Sequence, residues 1–213
     1  KVQHSDEHNQ PSKEEIQQIN GERNIIKGIQ HDIHVKEIHT KGICFILELT
    51  DKRIATCGYD NSISIVSLDY QTKKWKQDIK QVNAHNREIY GLCELSNNRL
   101  VSCSGDDTIK VWSITPNDLN LLSTLNNHTN SVHKVISLPR NRFSSCSNDH
   151  TGKVWNSEYP YGLISSLSHD NRVFDLLKLK QKDILISSTY NTSIDFWDSN
   201  NYQKLYSIKG HYA

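Results

Sequence analysis

The chain has 213 residues, and its 25 Lys and Arg against 24 Asp and Glu give a formal net charge of +1. This balance provides no long-range electrostatic attraction to nucleic acid or to an anionic membrane surface. Hydrophobic residues make up 35% of the sequence without a long apolar run, so we expect neither a membrane span nor a secretory signal.

Residues 1–31 are interpreted as a polar leader. Ser12 and Glu15 are spaced as a capping box, which predicts a short helix near residues 13–20 that ends before Gly21. The sequence contains no methionine, so we expect it to be a piece of a longer protein.

From residue 32 onward one pattern recurs: a histidine, about twenty residues, and then Asp-x-Ser/Thr-x-x-x-Trp. The repeat histidines are 46, 43, 41 and 42 residues apart: His39, His85, His128, His169 and His211. The first copy has Val66 in place of Trp, and the fourth has Asn191 in place of Asp. Self-similarity at a period of about 40–45 residues predicts a radial array of four-stranded blades.

We divide this array into repeats at about 39–81, 82–125, 126–167 and 168–208, with a fifth beginning at 209–213. In the second repeat, β-branched and aromatic residues predict four strands, which begin near Ile89, Leu100, Ile109 and Leu119. Asn97-Asn98 and Gly105-Asp106-Asp107 lie between these runs and are typical of turns in which positive φ is tolerated.

The five cysteines are Cys44, Cys57, Cys93, Cys103 and Cys146. Cys57, Cys103 and Cys146 occupy the same position in successive repeats. This would hold their Cα atoms farther apart than the ~5.5–6 Å that a disulfide requires. We therefore expect free thiols in a reducing compartment, the cytoplasm, with the nucleus not excluded. There is no CxxC pair, and the repeat histidines fall one to a blade, so no metal site is predicted.

Motifs that carry catalysis are missing from the sequence. There is no Gly-rich phosphate loop, no Gly-x-Ser-x-Gly elbow and no His-Glu-x-x-His. Asp106-Asp107 and Asp149-His150 look like acid/base pairs, but they recur at the repeat period, which favours turn geometry. We expect no catalytic residue and no cofactor.

Two segments, VSCSGDDTIKVW at 101–112 and SSCSNDHTGKVW at 144–155, resemble the strand–turn–strand signature of the WD-repeat β-propeller family, and Gly210-His211 resembles its Gly-His pair. The resemblance covers about residues 32–213. It implies an all-β fold of four-stranded antiparallel blades, here a partial propeller arc behind a short N-terminal helix. An open arc exposes two apolar blade faces, which the rest of a longer propeller or a partner would cover. Association through these uncapped blades is therefore also expected.

In that family the repeat His, a strand Ser or Thr, the turn Asp and the Trp form one hydrogen-bonded network in each blade. The resemblance implies two such structural networks here: His85, Ser102 or Ser104, Asp106 and Trp112; and His128, Ser145 or Ser147, Asp149 and Trp155. Spacing does not choose between the serines, because both point to the same strand face. Val66 has no indole N–H and Asn191 has no charge, so we expect the two outer blades to be held less firmly.

Partners of the family commonly dock on the face formed by the loops before first strands and between second and third strands. Eight residues are predicted to bind a partner there: Tyr59, Glu88, Tyr90, His133, Asn148, Arg172, Phe174 and Tyr190. Tyr and Arg are over-represented among interface hot spots. Matching positions also fall on Cys44 and on Gly42, Gly105 and Ser131; the last three are interpreted as ordinary loop residues.

These features predict a scaffold that presents a propeller face to other proteins or peptides and has no catalysis of its own. An alternative is the substrate-targeting or regulatory region of a larger enzyme, a kinase or a ubiquitin ligase, whose catalytic domain lies outside this chain. A catalytic motif upstream would separate these two. A third, a subunit of an RNA-associated particle, is disfavoured by the neutral charge and is tested by salt-dependent RNA binding.

Overall fold

The computed structural model describes residues 38–210, which form 16 strands in four antiparallel sheets. The first sheet contains β1 (Ile43–Glu48), β2 (Ile54–Gly58), β3 (Ile63–Asp69) and β4 (Lys74–Gln81). The second contains β5 (Ile89–Leu95), β6 (Arg99–Ser104), β7 (Ile109–Ile114) and β8 (Leu119–Leu125).

The third sheet contains β9 (Val132–Leu138), β10 (Arg142–Ser147), β11 (Thr151–Asn156) and β12 (Leu163–Ser168). The fourth contains β13 (Val173–Lys178), β14 (Ile184–Thr189), β15 (Ser193–Asp198) and β16 (Lys204–Lys209). Within each sheet the strands are ordered as they follow in the chain. The predicted all-β series of four-stranded antiparallel sheets is confirmed.

Three predictions concern residues beyond this range or boundaries that remain open. The helix near 13–20 and the leader around it lie outside the described residues, as does His211. The division of the chain into a leader and a repeat domain at residue 32 stays a prediction. Residues 38–210 contain no helix long and apolar enough to cross a membrane.

Residues with positive φ lie in the hairpin turns. Asn97 and Asn98, between β5 and β6, have φ of 62° and 53°. Between second and third strands, positive φ falls on the residue that follows the turn Asp or Asn: Asn61, Asp107, His150 and Thr192. Gly105 serves another purpose, since a Cβ there would lie 3.2 Å from Glu88 Oε2 and 3.3 Å from Tyr90 Oη.

Consecutive sheets pack against each other mainly through their first strands: β1 contacts β5, β5 contacts β9, and β9 contacts β13. Between the first two sheets, Ala55, Cys57 and Ile63 pack with Ile89 and Leu92. Equivalent residues fill the next two spaces between sheets. Because strands of the inner sheets are covered on both faces, their apolar runs are nearly continuous.

In each of the first three sheets, an arginine at the start of the second strand contacts the following sheet. Arg53, Arg99 and Arg142 each donate to the loop between that sheet's third and fourth strands. The acceptors are, in order, Pro116 O at 3.4 Å, Ser157 O at 2.6 Å and Tyr202 Oη. In the fourth sheet this position is Ile184, so the series of arginine contacts stops there.

Residues 68–76, at the tip of the β3–β4 hairpin, belong to a compact unit separate from the rest of the described chain. In this tip the Asp69 carboxylate accepts hydrogen bonds from the backbone N–H groups of Gln71 and Thr72, at 2.9 and 3.2 Å. These bonds close the turn locally.

Candidate functional site

The structure brings the four network residues of the second sheet together. The Ser102 hydroxyl lies 2.7 Å from His85 Nε2, and Trp112 Nε1–H donates to the same hydroxyl at 2.8 Å. On the other side of the imidazole ring, Nδ1 lies 3.0 Å from Asp106 Oδ2. Ser104 stands outside this chain of contacts: its hydroxyl donates to a backbone carbonyl at 3.2 Å.

The third sheet repeats the arrangement with the equivalent residues. Ser145 Oγ lies 2.8 Å from His128 Nε2 and accepts from Trp155 Nε1–H at 2.9 Å. His128 Nδ1 lies 2.6 Å from Asp149 Oδ2. Two separate sheets with the same partners indicate that the local sequence pattern sets the geometry.

The first sheet keeps the carboxylate end of the network and lacks the indole end. His39 contacts Asp60 through Nδ1 at 2.8 Å and Thr56 Oγ1 through Nε2 at 2.9 Å. Val66 stands at the tryptophan position and has no N–H to offer. Thr56 therefore receives no indole hydrogen bond.

The fourth sheet has the opposite deficit. His169 Nε2 lies 2.7 Å from Ser187 Oγ, which accepts from Trp197 Nε1–H at 2.9 Å. Instead of a carboxylate, Nδ1–H of the histidine finds the carbonyl oxygen of Leu167 at 2.9 Å. Asn191 accepts a hydrogen bond from Thr189, two residues earlier, at 2.7 Å.

Electrostatics in the two complete networks favour a neutral imidazole beside an ionised carboxylate. Burial lowers the pKa of His85 by more than neighbouring Asp106 raises it. Burial also raises the pKa of Asp106, but hydrogen bonds from His85 and Thr108 outweigh it and hold that pKa below its usual range. The corresponding pair in the third sheet shifts in the same directions. A proton on Nδ1 then satisfies the carboxylate, while Nε2 accepts from the serine.

Serine, histidine and aspartate in this order of contact also make up the catalytic triad of many hydrolases. A nucleophile must reach its substrate. Ser102 and Ser145 are 0% exposed, and each hydroxyl is occupied by an indole N–H. The arrangement is therefore a buried hydrogen-bond chain rather than a site open to a substrate. In residues 38–210, no three His, Cys, Asp or Glu side chains are grouped so that they could hold a metal ion.

A β-bulge positions the residue five after each repeat histidine. In every first strand one residue is skipped by the register with the second strand: Cys44, Tyr90, His133 and Phe174. Each of these residues is the second residue of its strand, and the sequence pattern also placed Tyr90 in a first strand. Bulges leave a residue unpaired and re-aim its side chain, and they are common next to binding sites.

In every sheet, a backbone hydrogen bond holds the predicted position before the turn Asp or Asn at the same end of the sheet. The residue before each turn Asp or Asn donates its N–H to the carbonyl oxygen of the residue three after the repeat histidine. The four pairs are Tyr59 to Gly42 at 2.9 Å, Gly105 to Glu88 at 2.9 Å, Asn148 to Ser131 at 3.0 Å and Tyr190 to Arg172 at 2.9 Å. The two predicted positions of each sheet are thus neighbours.

Five of the predicted binding residues form a continuous line of rings across the four sheets, which we call the aromatic row: Tyr59, Tyr90, His133, Phe174 and Tyr190. Consecutive ring centroids are 6.5, 5.4, 5.0 and 6.1 Å apart. Tyr59, Phe174 and Tyr190 are 49%, 40% and 67% exposed. The row therefore presents aromatic surface to solvent while its rings support one another.

Polar groups flank the aromatic row. Asn148 Oδ1 lies 2.8 Å from His133 Nε2 and fixes that ring. Glu88 Oε2 is buried and accepts no hydrogen bond from the described residues, with Arg87 Nε 3.6 Å away. Arg172 is exposed, and its side chain shows no ring contact in the described part of the chain.

One set of network residues was not included in the predicted networks. The hydroxyl two residues after each turn Asp donates to that carboxylate: Ser62 at 2.7 Å, Thr108 at 2.7 Å and Thr151 at 2.6 Å. The signal was present in the sequence, because Ser or Thr recurs at this position of the repeat. Its consequence is that each carboxylate is held from two sides.

Comparison with known proteins identifies the repeat. Residues 76–113 and 119–156 match the family model of the WD domain, G-beta repeat. No curated protein matches the chain. Among solved structures, the computationally designed Ika8 protein is similar, with a TM-score of 0.68, 24% identity and coverage of 81% of this chain. The chain spans about half of that protein, 51% of its length, and the likeness is one of fold. The two matched repeats and the four four-stranded antiparallel sheets in series are consistent with the blades of a WD-repeat propeller.

Proposed function

We propose that the chain is a protein-interaction scaffold without catalysis of its own and that the aromatic row is its binding surface. WD40 repeats in general mediate protein–protein interactions and form a non-catalytic scaffold. A fold alone does not specify function, so the proposal depends on the surface. The observation that carries it is the unbroken row of five rings on one end of the four sheets.

The row suits a partner that inserts apolar or aromatic side chains. Its rings bury large areas on contact, and tyrosine loses little conformational entropy because it has few rotatable bonds. Tyr90, His133 and Phe174 are fixed by bulges in the first strands. A surface ordered before binding loses less entropy on association than one that must fold around its partner.

The polar groups beside the row would set the orientation of a bound peptide. The Glu88 carboxylate, with its buried Oε2 3.6 Å from Arg87 Nε, places a negative charge beside the row. Arg172 offers an exposed cation at the other end. An extended peptide that places apolar side chains on the rings and a donor near Glu88 fits this arrangement best.

We further propose that the chain works in the cytoplasm or another reducing compartment. All five cysteines are free thiols, and burial raises the pKa of Cys57, Cys93, Cys103 and Cys146. The neutral overall charge supports protein partners rather than nucleic acid or membrane.

A random peptide library displayed on phage tests the binding surface without requiring that the natural partner be identified. Peptides selected on the immobilised chain are then titrated calorimetrically against wild type and single variants. We expect Tyr90→Ala, Phe174→Ala and Tyr190→Ala each to weaken binding by ~1–3 kcal/mol while circular dichroism and thermal unfolding stay close to wild type.

Tyr159→Ala is the matched control, since Tyr159 is 82% exposed and lies outside the row. It should bind like wild type. Selected peptides whose affinity is unchanged by all three row variants would contradict the assignment of the surface. Peptides that depend on Tyr159 alone would move the binding site elsewhere.

A further inference from the structure

A pocket between the third and fourth sheets, which we call the cation pocket, has a positively charged lining. It lies at the β9–β10 and β15–β16 hairpins, at the end of the sheets opposite the aromatic row. Its cations are Arg140, Arg142 and Lys178, and among the described lining residues Asp183 contributes the single carboxylate. Three positive charges against one negative charge give the lining a net charge of +2.

The two preceding spaces between sheets contain an equivalent arginine, but each of these arginines is paired with a carboxylate. Arg53 Nη2 lies 2.8 Å from Asp51 Oδ2, two residues earlier in the same hairpin. Arg99 Nη2 lies 2.7 Å from Glu158 Oε1 of the following sheet. In both spaces the charge of the arginine is therefore neutralised inside the chain.

The third space lacks both of these carboxylates. The position of Asp51, twelve residues after the repeat histidine, is occupied by Arg140 in the third sheet. The position of Glu158, three residues after the tryptophan of the following sheet, is occupied by Asn200. One carboxylate is thus replaced by a cation and the other by a neutral amide, and Arg142 keeps its charge.

Neutral groups hold the three cations in place. Arg142 donates to the Tyr202 hydroxyl, and its Cζ lies 5.5 Å from the centre of that ring. Arg140 donates to Asn200 Oδ1. The Lys178 ammonium donates to two backbone carbonyls of the β13–β14 hairpin, at 2.9 and 2.6 Å. Because a guanidinium has five N–H donors and an ammonium has three, each side chain is positioned and still has a donor for an anion.

The volume of the pocket limits the anion that it can hold. It is about 70 Å³. A cavity needs about 10–15 Å³ to hold one water molecule, so this pocket has room for one group of the size of phosphate and not for a nucleotide. A phosphate monoester carries a charge of about −1.5 to −2 at pH 7, which matches the lining better than the single charge of a carboxylate. The planar fork of an arginine also pairs with two phosphate oxygens at once.

We propose that the cation pocket binds the phosphate group of a phosphorylated serine or threonine side chain of a partner protein. Clusters of arginines are a recurring means of recognising phosphorylated peptides. A nucleic acid or an anionic membrane surface would be bound by a broad basic face, and a net charge of +1 for the whole chain gives no support for one. The cation pocket shares no residue with the aromatic row, so either site can fail in an experiment without the other.

An array of degenerate peptides with a central phosphoserine, probed with the full 213-residue chain, is the direct test. The strongest binders are then titrated calorimetrically beside the same peptides with serine or glutamate at the central position. We expect the phosphoserine peptide to bind about tenfold more tightly than either. An array without a phosphoserine-dependent binder would overturn the proposal, as would a glutamate peptide that binds equally well.

Glutamine substitutions locate the site. Arg140→Gln, Arg142→Gln and Lys178→Gln should each raise the dissociation constant of the phosphoserine peptide about tenfold. Arg140 is exposed, so its variant stays informative even if Arg142→Gln weakens the contact between sheets. Arg53→Gln is the matched control, because Arg53 holds the equivalent position beside a carboxylate, and it should bind like wild type. If Arg140→Gln and Lys178→Gln both bind like wild type, the phosphate is held elsewhere and the proposal is wrong.

Two further variants change affinity in opposite directions, which a merely structural role of the pocket would not produce. Asn200→Glu restores the carboxylate that Glu158 supplies in the preceding space, and should weaken binding about tenfold without lowering the temperature of unfolding. Asp183→Asn removes the negative charge from the lining and should strengthen binding about threefold. Weaker binding by the folded Asp183→Asn variant would contradict the charge argument.

The source of the phosphate is tested with two other probes. Inorganic phosphate should compete with the phosphoserine peptide only at a much higher concentration, because it lacks the flanking peptide. Vesicles that contain phosphatidylinositol phosphate should not retain the chain. Retention on these vesicles that is lost in Arg140→Gln would assign the pocket to a lipid headgroup and overturn the assignment to a protein partner.

Discussion

Replacing Ser102 with alanine removes the central group of the network in the second sheet. Its hydroxyl is fully buried and lies 2.7 Å from His85 Nε2 and 2.8 Å from Trp112 Nε1. Alanine leaves an imidazole acceptor and an indole donor buried without partners, and each unsatisfied group costs ~1–3 kcal/mol. We therefore expect Ser102→Ala to lower the free energy of unfolding by ~2–4 kcal/mol.

The double-mutant cycle with Trp112→Phe tests whether the two residues act through one hydrogen bond. Phenylalanine has no N–H to leave unpaired, so Ser102→Ala should cost at least ~1 kcal/mol less in the Trp112→Phe background than in the wild type. The single variant Trp112→Phe should itself destabilise the sheet. An Asp106→Ala variant combined with Trp112→Phe should likewise be less destabilising than the sum of the two singles.

Urea unfolding measures the global free energy, and hydrogen exchange of amides in β6 and β7 reports on the second sheet itself. Ser113→Ala is the control, because this half-buried serine of β7 makes no side-chain hydrogen bond to a described residue. The equivalent pair in the third sheet, Ser145 and Trp155, repeats the test at 2.9 Å. Strict additivity in both sheets would refute the shared network.

The remaining predictions concern charge, contacts between sheets and thiols. The folded-state pKa of His85 lies below 6.5 and that of Asp106 below 3.8, so the folded chain binds fewer protons than the unfolded chain. The free energy of unfolding should therefore fall on acidification, starting near pH 6.5 and continuing below about pH 4, as a pH series of urea transitions would show. Arg99→Lys keeps the charge but loses the planar fork, and should cost ~1–3 kcal/mol in urea unfolding. Arg53→Lys, which gives up only a 3.4 Å contact to the next sheet, should cost less. Alkylation in guanidinium without reductant should modify all five cysteines, and in the native chain the half-buried Cys44 should react first; a disulfide-linked peptide pair in the mass map would contradict this.

The sequence predicts the fold well because the signals for it are local and repeated. The runs that contain Ile89, Leu100, Ile109 and Leu119 each correspond to one strand, since β-branched and apolar residues are enriched there. The constant interval from repeat His to turn Asp returns the chain to the same end of each sheet. Asn97-Asn98 turns the chain because asparagine tolerates positive φ.

What the sequence leaves undetermined depends on the geometry between strands. Ser102 and Ser104 point to the same face, and only the position of the tryptophan on the neighbouring strand selects Ser102. Bulges are register shifts, which composition does not encode, so the irregular pairing at Tyr90 and Phe174 was not predicted from the sequence. The arginines between sheets recur fourteen residues after each of three repeat histidines, and this regularity is visible in the sequence. Their hydrogen-bond acceptors lie in the next repeat, so the spacing within one repeat does not identify them.

The buried networks and the aromatic row are connected through the turns. Tyr59 directly precedes Asp60, whose carboxylate is held by His39 at 2.8 Å. Asn148 directly precedes Asp149 in the same way and in turn fixes the ring of His133. A buried hydrogen-bond chain therefore fixes the turn, and the turn fixes a side chain on the proposed binding surface.

This connection is weakest at the far end of the row. Tyr190 precedes Asn191, which bonds to Thr189 in the same hairpin and not to the repeat histidine of its sheet. Tyr190 is also the most exposed member of the row, at 67%. On the proposed binding surface Tyr190 therefore has the least support, since it contacts one ring of the row whereas Tyr90 and His133 each contact two. Because ordering a side chain costs ~0.5–1.5 kcal/mol, the same contact area contributes more affinity at the centre of the row than at Tyr190.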